Sequence, residues 1–246
     1  MSNAAVETQT QERKPKVDIK RQIVSFVFFQ VDPAWRRLSE SEKQASKQEF
    51  EQVIESFVEK KRCQILTYTM MGMKADTDFM LWIISEDLDT QQDLASALAK
   101  TKLGAYLTRS YNFLAMTKRT MYIDRQNPEH AEDRLHIRPG KHKYFFVYPF
   151  VKKREWYLLS LEERQKMMDE HIRVGTTYPS VKLNTTYSFG LDDQEFVVAF
   201  ETDTAADFLD LVQELRESQA SNYTLRDTPI FTCISKTAKE MLDSIG

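Results

Sequence analysis

The chain has 246 residues, 41% of them hydrophobic and 29% charged, with a formal net charge of −3. That length can bury one large core or two smaller ones, and the charge balance offers no broad basic field for nucleic acid. The longest apolar runs, residues 23–29 and 145–151, are strand-length and far short of the ~20 residues a membrane helix needs.

In chain order, residues 1–19 are polar and lack the apolar stretch of a secretory signal, so they read as a disordered lead on a cytoplasmic protein. A strand at 23–29 precedes Trp35-Arg36-Arg37-Leu38-Ser39-Glu40-Ser41-Glu42 and a helix. Gly72-Met73-Lys74-Ala75-Asp76-Thr77-Asp78-Phe79 then leads into another strand, followed by an amphipathic helix near 90–101 and a closing strand around 117–123. Asn127-Pro128 and Arg138-Pro139-Gly140 carry the turn chemistry of a linker.

The second half repeats this order. A strand at 144–150 precedes Trp156-Tyr157-Leu158-Leu159-Ser160-Leu161-Glu162-Glu163 and a helix, and Gly190-Leu191-Asp192-Asp193-Gln194-Glu195-Phe196 leads into a strand. A helix at 205–217 and a strand at 230–234 follow. Each half reads β-α-β-β-α-β, the ferredoxin-like unit, so the fold class is α+β with two tandem ferredoxin-like repeats. The expected divisions are the lead at 1–19, a first half at 20–125, a linker at 126–141 and a second half at 142–246. One face of each sheet needs a partner to bury it.

The segment from Tyr148 to Gly175 concentrates the chemistry. Ser160 and Glu163 have capping-box spacing at the start of a helix. Met167, Met168, His171 and Val174 then fall on one face, which turns the His171 imidazole into the apolar side. A lone histidine there is most often a core imidazole bonded to a carbonyl. Tyr148 and Lys152 are four residues apart on one strand and share a sheet face. Cys63 and Cys233 have no ligand spacing and read as small buried hydrophobes, and Met70, Met71 and Met73 as core filler.

Tyr148-Pro149-Phe150-Val151-Lys152-Lys153-Arg154, the run from Trp156 to His171 and the Gly190-Leu191-Asp192-Asp193 turn together resemble the coproheme decarboxylase branch of the chlorite dismutase superfamily. The resemblance implies a dimeric α+β barrel, a homo-oligomer with a pentamer as precedent, and an iron porphyrin in the second half. It implies conversion of iron-coproporphyrin III (coproheme) into haem b by hydrogen peroxide, with oxidative decarboxylation of two propionates. His171 would be the proximal iron ligand, a role that suits an imidazole in an apolar pocket. Tyr148 would be the catalytic phenol, oxidised and then taking a hydrogen from a propionate. Lys152 and Arg134 would hold propionates, and Trp156 would pack against the pocket wall.

Two departures from the family pattern bear on activity. Leu183 falls where chlorite dismutases carry a distal arginine and many coproheme decarboxylases a glutamine, which disfavours chlorite chemistry because leucine donates no hydrogen bond. Asn184 would take that place only on a one-residue slip, which turns it to the opposite face. Gln219 stands at or beside the carboxylate that often backs the proximal histidine, with Glu217 close by. The rival readings are a chlorite- or peroxide-consuming haem enzyme and a haem-binding protein without efficient turnover.

Overall fold

The computed structural model describes residues 20–123 and 135–246. Its strands are β1 (Ile23–Val31), β2 (Cys63–Thr69), β3 (Phe79–Ser85), β4 (Leu107–Met116), β5 (Tyr144–Lys152), β6 (Lys182–Tyr187), β7 (Phe196–Thr202), β8 (Thr224–Arg226) and β9 (Phe231–Ser235). Its described helices are α1 (Glu40–Glu59), α2 (Leu88–Ala99), α3 (Arg154–Leu158), α4 (Leu161–Thr176), α5 (Ala205–Glu217) and α6 (Ala238–Asp243).

All strand pairs are antiparallel, in the order β7-β6-β4-β1-β3-β2-β9-β5-β8, and a further pairing joins β7, at one end of the order, to β5, next to the other end. Two four-stranded blocks, β4-β1-β3-β2 and β6-β7-β5-β9, are thereby joined at two thin seams. One seam is the single pair Met116↔Tyr187, and the other is Tyr68↔Ser235 with Thr69↔Ile234.

The continuous apolar runs arise because both faces of these strands are covered. Val24, Phe26 and Phe28 of β1 meet Phe145 and Val147 of β5, Val197 and Ala199 of β7, and Phe231 and Cys233 of β9 in one core. Outside the first block, Phe29, Leu81 and Ile83 pack under α1 and α2, and Met241 and Leu242 of α6 return to the same layer. Outside the second block, Phe146 and Phe200 pack against Val174 of α4 and Phe208 and Leu211 of α5.

The repeat extends to individual hydrogen bonds. Ser39 with Glu42 and Ser160 with Glu163 both form capping boxes. Gly72 and Gly190 both take positive φ, 78° and 72°, at the turns before β3 and β7, the region open to a residue without Cβ. The Asp78 carboxylate accepts the Val31 N–H (2.7 Å) at the end of β1, and the Glu195 carboxylate accepts the Lys152 N–H (2.8 Å) at the end of β5.

Two expectations from the sequence are corrected. The closing strand of the first half is β4, not 117–123; the Thr117 N–H donates to the Gln22 carbonyl (2.9 Å), and the chain then leaves the sheet to pass α4, where the Ile123 N–H donates to Gln165. The exposed Thr108, Arg109 and Asn112 dilute the apolar pattern of β4 and hide it. Of the methionine cluster only Met70 is core, while Met71 and Met73 are exposed at the β2–β3 turn. Cys63 and Cys233 are free and buried, as their lack of ligand spacing implied.

Candidate functional site

Strand parity sets the first half of the site. Pairing of β5 with β7 and β7 with β6 aligns Phe146, Phe200 and Leu183 in one row and Tyr148, Val198 and Thr185 in the next. Phe146, Tyr148, Val198 and Phe200 all belong to the cluster beneath α4 and α5. Tyr148 and Leu183 therefore share the outer face of the second block, and Leu183 is 46% exposed there. Asn184 has the opposite parity; it is buried and its amide donates to Glu201 at 2.9 Å.

The Tyr148 ring lies over Phe200 at 6.0 Å between centroids. Burial pushes its phenol well above the ordinary range, the Asp227 carboxylate adds to that, and the Arg216 cation opposes it. Arg216 and Asp227 are themselves ion-paired. The Tyr148 hydroxyl makes no hydrogen bond among the described residues, so a neutral phenol O–H remains available to a ligand.

Lys152 closes the same strand. Its ammonium donates to the Ala220 carbonyl at 2.8 Å and lies 4.4 Å from the Trp156 ring centroid. Burial lowers its pKa to about 8, with Glu195 opposing the shift. Trp156, 2% exposed, packs on Tyr223 at 5.4 Å and on Tyr122 at 6.3 Å. The lysine stem is thus held between β5, α3 and the 3-10 turn Gln219–Tyr223.

The capping box fixes where α4 begins, and His171 follows on its half-buried face with Met167 and Met168. Burial lowers the His171 imidazole to about 4; the positive charge of Lys152 pushes the same way and Glu170 opposes it. His171 makes no hydrogen bond among the described residues. The Gln219 side chain is exposed and gives it none; instead the Gln219 backbone N–H donates to the Glu170 carboxylate at 3.0 Å. Glu217 is exposed as well. Arg134 lies outside the described residues.

Two groups escape the sequence reading. Glu195 is 8% exposed and ties the Lys152 N–H, the Tyr157 hydroxyl (2.5 Å) and, at 3.9 Å, Arg154 into one knot at the end of β5. Its sequence reads only as part of a turn, since its three partners come together through the β5–β7 register. Arg164 precedes His171 by seven residues, a helical spacing that places the two on one side of α4. Its Nε is enclosed and has no hydrogen-bond partner.

A cavity of about 400 Å³ lies elsewhere, between α2 and the outer face of β1, β3 and β4, lined by Val27, Leu81, Ile83, Leu94, Leu98 and Arg109 among others. It contains none of the residues singled out from the sequence. Among the described residues no group of three His, Cys, Asp or Glu side chains could hold a bare metal ion. His171 would supply one protein ligand, which fits iron carried in a porphyrin better than a metal bound by protein alone.

Comparison with known proteins decides the family. The sequence model of the chlorite dismutase family matches residues 43–236. The chain belongs to the chlorite dismutase family. A coproheme decarboxylase of Mycolicibacterium smegmatis is 33% identical over 166 residues, which cover 67% of this chain and 70% of that protein. A variant chlorite dismutase from Candidatus Nitrospira defluvii superposes with a TM-score of 0.82 at 27% identity, covering 90% of this chain and 94% of that one. The same enzyme in complex with imidazole gives a TM-score of 0.81 at 26% identity over the same shares. The α+β fold is that of this family. No helix among the described residues is long and apolar enough to cross a membrane.

Proposed function

We propose that this family member is a coproheme decarboxylase, converting iron-coproporphyrin III into haem b with hydrogen peroxide. The observation that carries the reading is the convergence of a neutral imidazole, His171, a half-buried neutral phenol, Tyr148, and a half-buried ammonium, Lys152, on the outer face of one sheet block. The likeness to the mycobacterial coproheme decarboxylase supports it. The residues also fit a carboxylate-bearing porphyrin on their own account. The apolar surface of Phe146, Val198 and Phe200 suits the macrocycle, and the enclosed Arg164 Nε lacks an acceptor.

His171 would bind the iron, and Lys152 and Arg134 would hold propionates as cations. The bound iron porphyrin, with peroxide, would supply the oxidising power. Tyr148 would give up its phenolic hydrogen and recover one from a propionate side chain held beside it. For each propionate, one peroxide and one proton are consumed; the carboxylate leaves as carbon dioxide, a vinyl group remains, and two waters form. Trp156 would keep the Lys152 stem in place. Leu183 offers no hydrogen bond to an oxychlorine anion, which separates this reading from chlorite breakdown, while neutral peroxide needs no such donor to enter. A cytoplasmic homo-oligomer belongs to the same proposal.

The test is to load purified protein with iron-coproporphyrin III, add hydrogen peroxide stepwise and identify the porphyrin by chromatography. Haem b appearing through a three-propionate intermediate is the expected result. Tight binding with four intact propionates would assign the protein to porphyrin binding without turnover, and oxygen release on adding chlorite would return it to the chlorite dismutase reaction.

A further inference from the structure

We propose that Arg164 binds one carboxylate of the porphyrin directly, as an anchor on the α4 side of the site. The inference rests on the porphyrin reading and extends it to a residue that no earlier step assigns.

An arginine keeps its charge in proteins and carries five N–H donors. Enclosing such a group without an acceptor costs free energy. Arg164 is in that position. Its Nε is enclosed and unpartnered, its Nη1 lies 3.7 Å from the Met121 sulfur, a weak acceptor, and its other side-chain neighbour is the uncharged Tyr122 phenol. No carboxylate pairs with it among the described residues. Glu163, the adjacent acid, is committed to the Ser160 cap. The neighbouring group is the phenol of Tyr122, whose pKa burial raises and the Arg164 charge lowers. That phenol is protonated at neutral pH, so its oxygen meets the guanidinium as a neutral acceptor and not as a counter-ion.

The placement suits a porphyrin edge. Seven residues separate Arg164 from His171 on one helix, roughly 10.5 Å along its axis, so the guanidinium stands to one side of the imidazole rather than over it. Tyr122 packs on Trp156, which also meets the Lys152 ammonium. Arg164 and Lys152 thus border one aromatic group. Lys152 has its acceptor in the Ala220 carbonyl; Arg164 has no anionic acceptor among the described residues and its Nε has none at all, and a planar carboxylate is the ligand whose geometry a guanidinium matches. The free protein carries the cost of the unpaired cation, and the ligand removes it.

The experiment measures binding of iron-coproporphyrin III by Soret titration to the full-length parent, Arg164→Met and Arg164→Lys, alongside thermal midpoints of the ligand-free proteins. The inference predicts at least tenfold weaker binding by Arg164→Met, part of it recovered in Arg164→Lys, with a ligand-free midpoint no lower than the parent's. Unchanged affinity in Arg164→Met overturns it. So does a lost affinity accompanied by a lower midpoint, which would make Arg164 a folding residue. If the parent also fails to bind, the porphyrin reading itself falls and this inference falls with it.

Discussion

An imidazole at about 4 and an ammonium at about 8 make His171 and Lys152 report on pH in separate windows. The folded His171 value lies below the ordinary ~6.5, so between these values the unfolded chain holds more protons than the folded one. Its contribution to stability is intact above ~6.5 and declines as pH falls toward 4. Thermal midpoints of the ligand-free protein should fall across that interval, and His171→Gln should flatten the slope; an identical slope in both would contradict the buried, neutral imidazole. Lys152 loses its charge as pH rises through about 8. Affinity for iron-coproporphyrin III should therefore drop above pH 8 in the parent, while Lys152→Met should bind weakly with no such step.

At the scale of elements, α3 and the start of α4 govern how the site is presented. Trp156 fills the space between β5, the 3-10 turn and Tyr122, and removing its ring leaves a cavity that rigid strands cannot close. Trp156→Ala should lower stability by about 3–5 kcal/mol, measured by denaturant unfolding of the ligand-free protein. This is also the scale at which the sequence was most legible. The Ser160 capping box, both glycine turns and the helix-borne His171 are local patterns, each written within a few residues. The position of β4 was not legible, because its exposed polar residues break the apolar alternation and the true end of the sheet is set by pairing with β1. Glu195 and Arg164 were missed for a related reason. The partners of Glu195 arrive from a neighbouring strand and helix, and the significance of Arg164 is that a partner is missing, which no sequence pattern displays.

For the whole molecule, the two sheet blocks share their interior although their edges meet through few backbone pairs. Phe145 of the second block stacks on Tyr68 at 4.7 Å and on Phe26 at 6.2 Å, and lies 4.9 Å from Trp82, all three in the first block. The C-terminal helix α6 adds a second tie, since the Trp35 indole donates to the Ile245 carbonyl at 3.1 Å. The blocks should consequently unfold together. Phe145→Ala should cost about 3–5 kcal/mol and keep one transition, seen at the same denaturant concentration by fluorescence and by far-ultraviolet dichroism. Two separated transitions would show that the shared core does not couple the halves. The pentamer expected from the family resemblance is checked by sedimentation of the ligand-free protein, with a monomer as the contrary result.

The most direct test of the proposed chemistry compares the parent with Tyr148→Phe, both loaded with iron-coproporphyrin III and given stepwise hydrogen peroxide, with porphyrin masses read at each step. The parent should lose two carboxyl groups in sequence, while the variant should bind the porphyrin and keep all four propionates. Equal decarboxylation by both proteins would contradict the account, because the phenol on the outer face of β5 would then not be the group that takes hydrogen from the propionate.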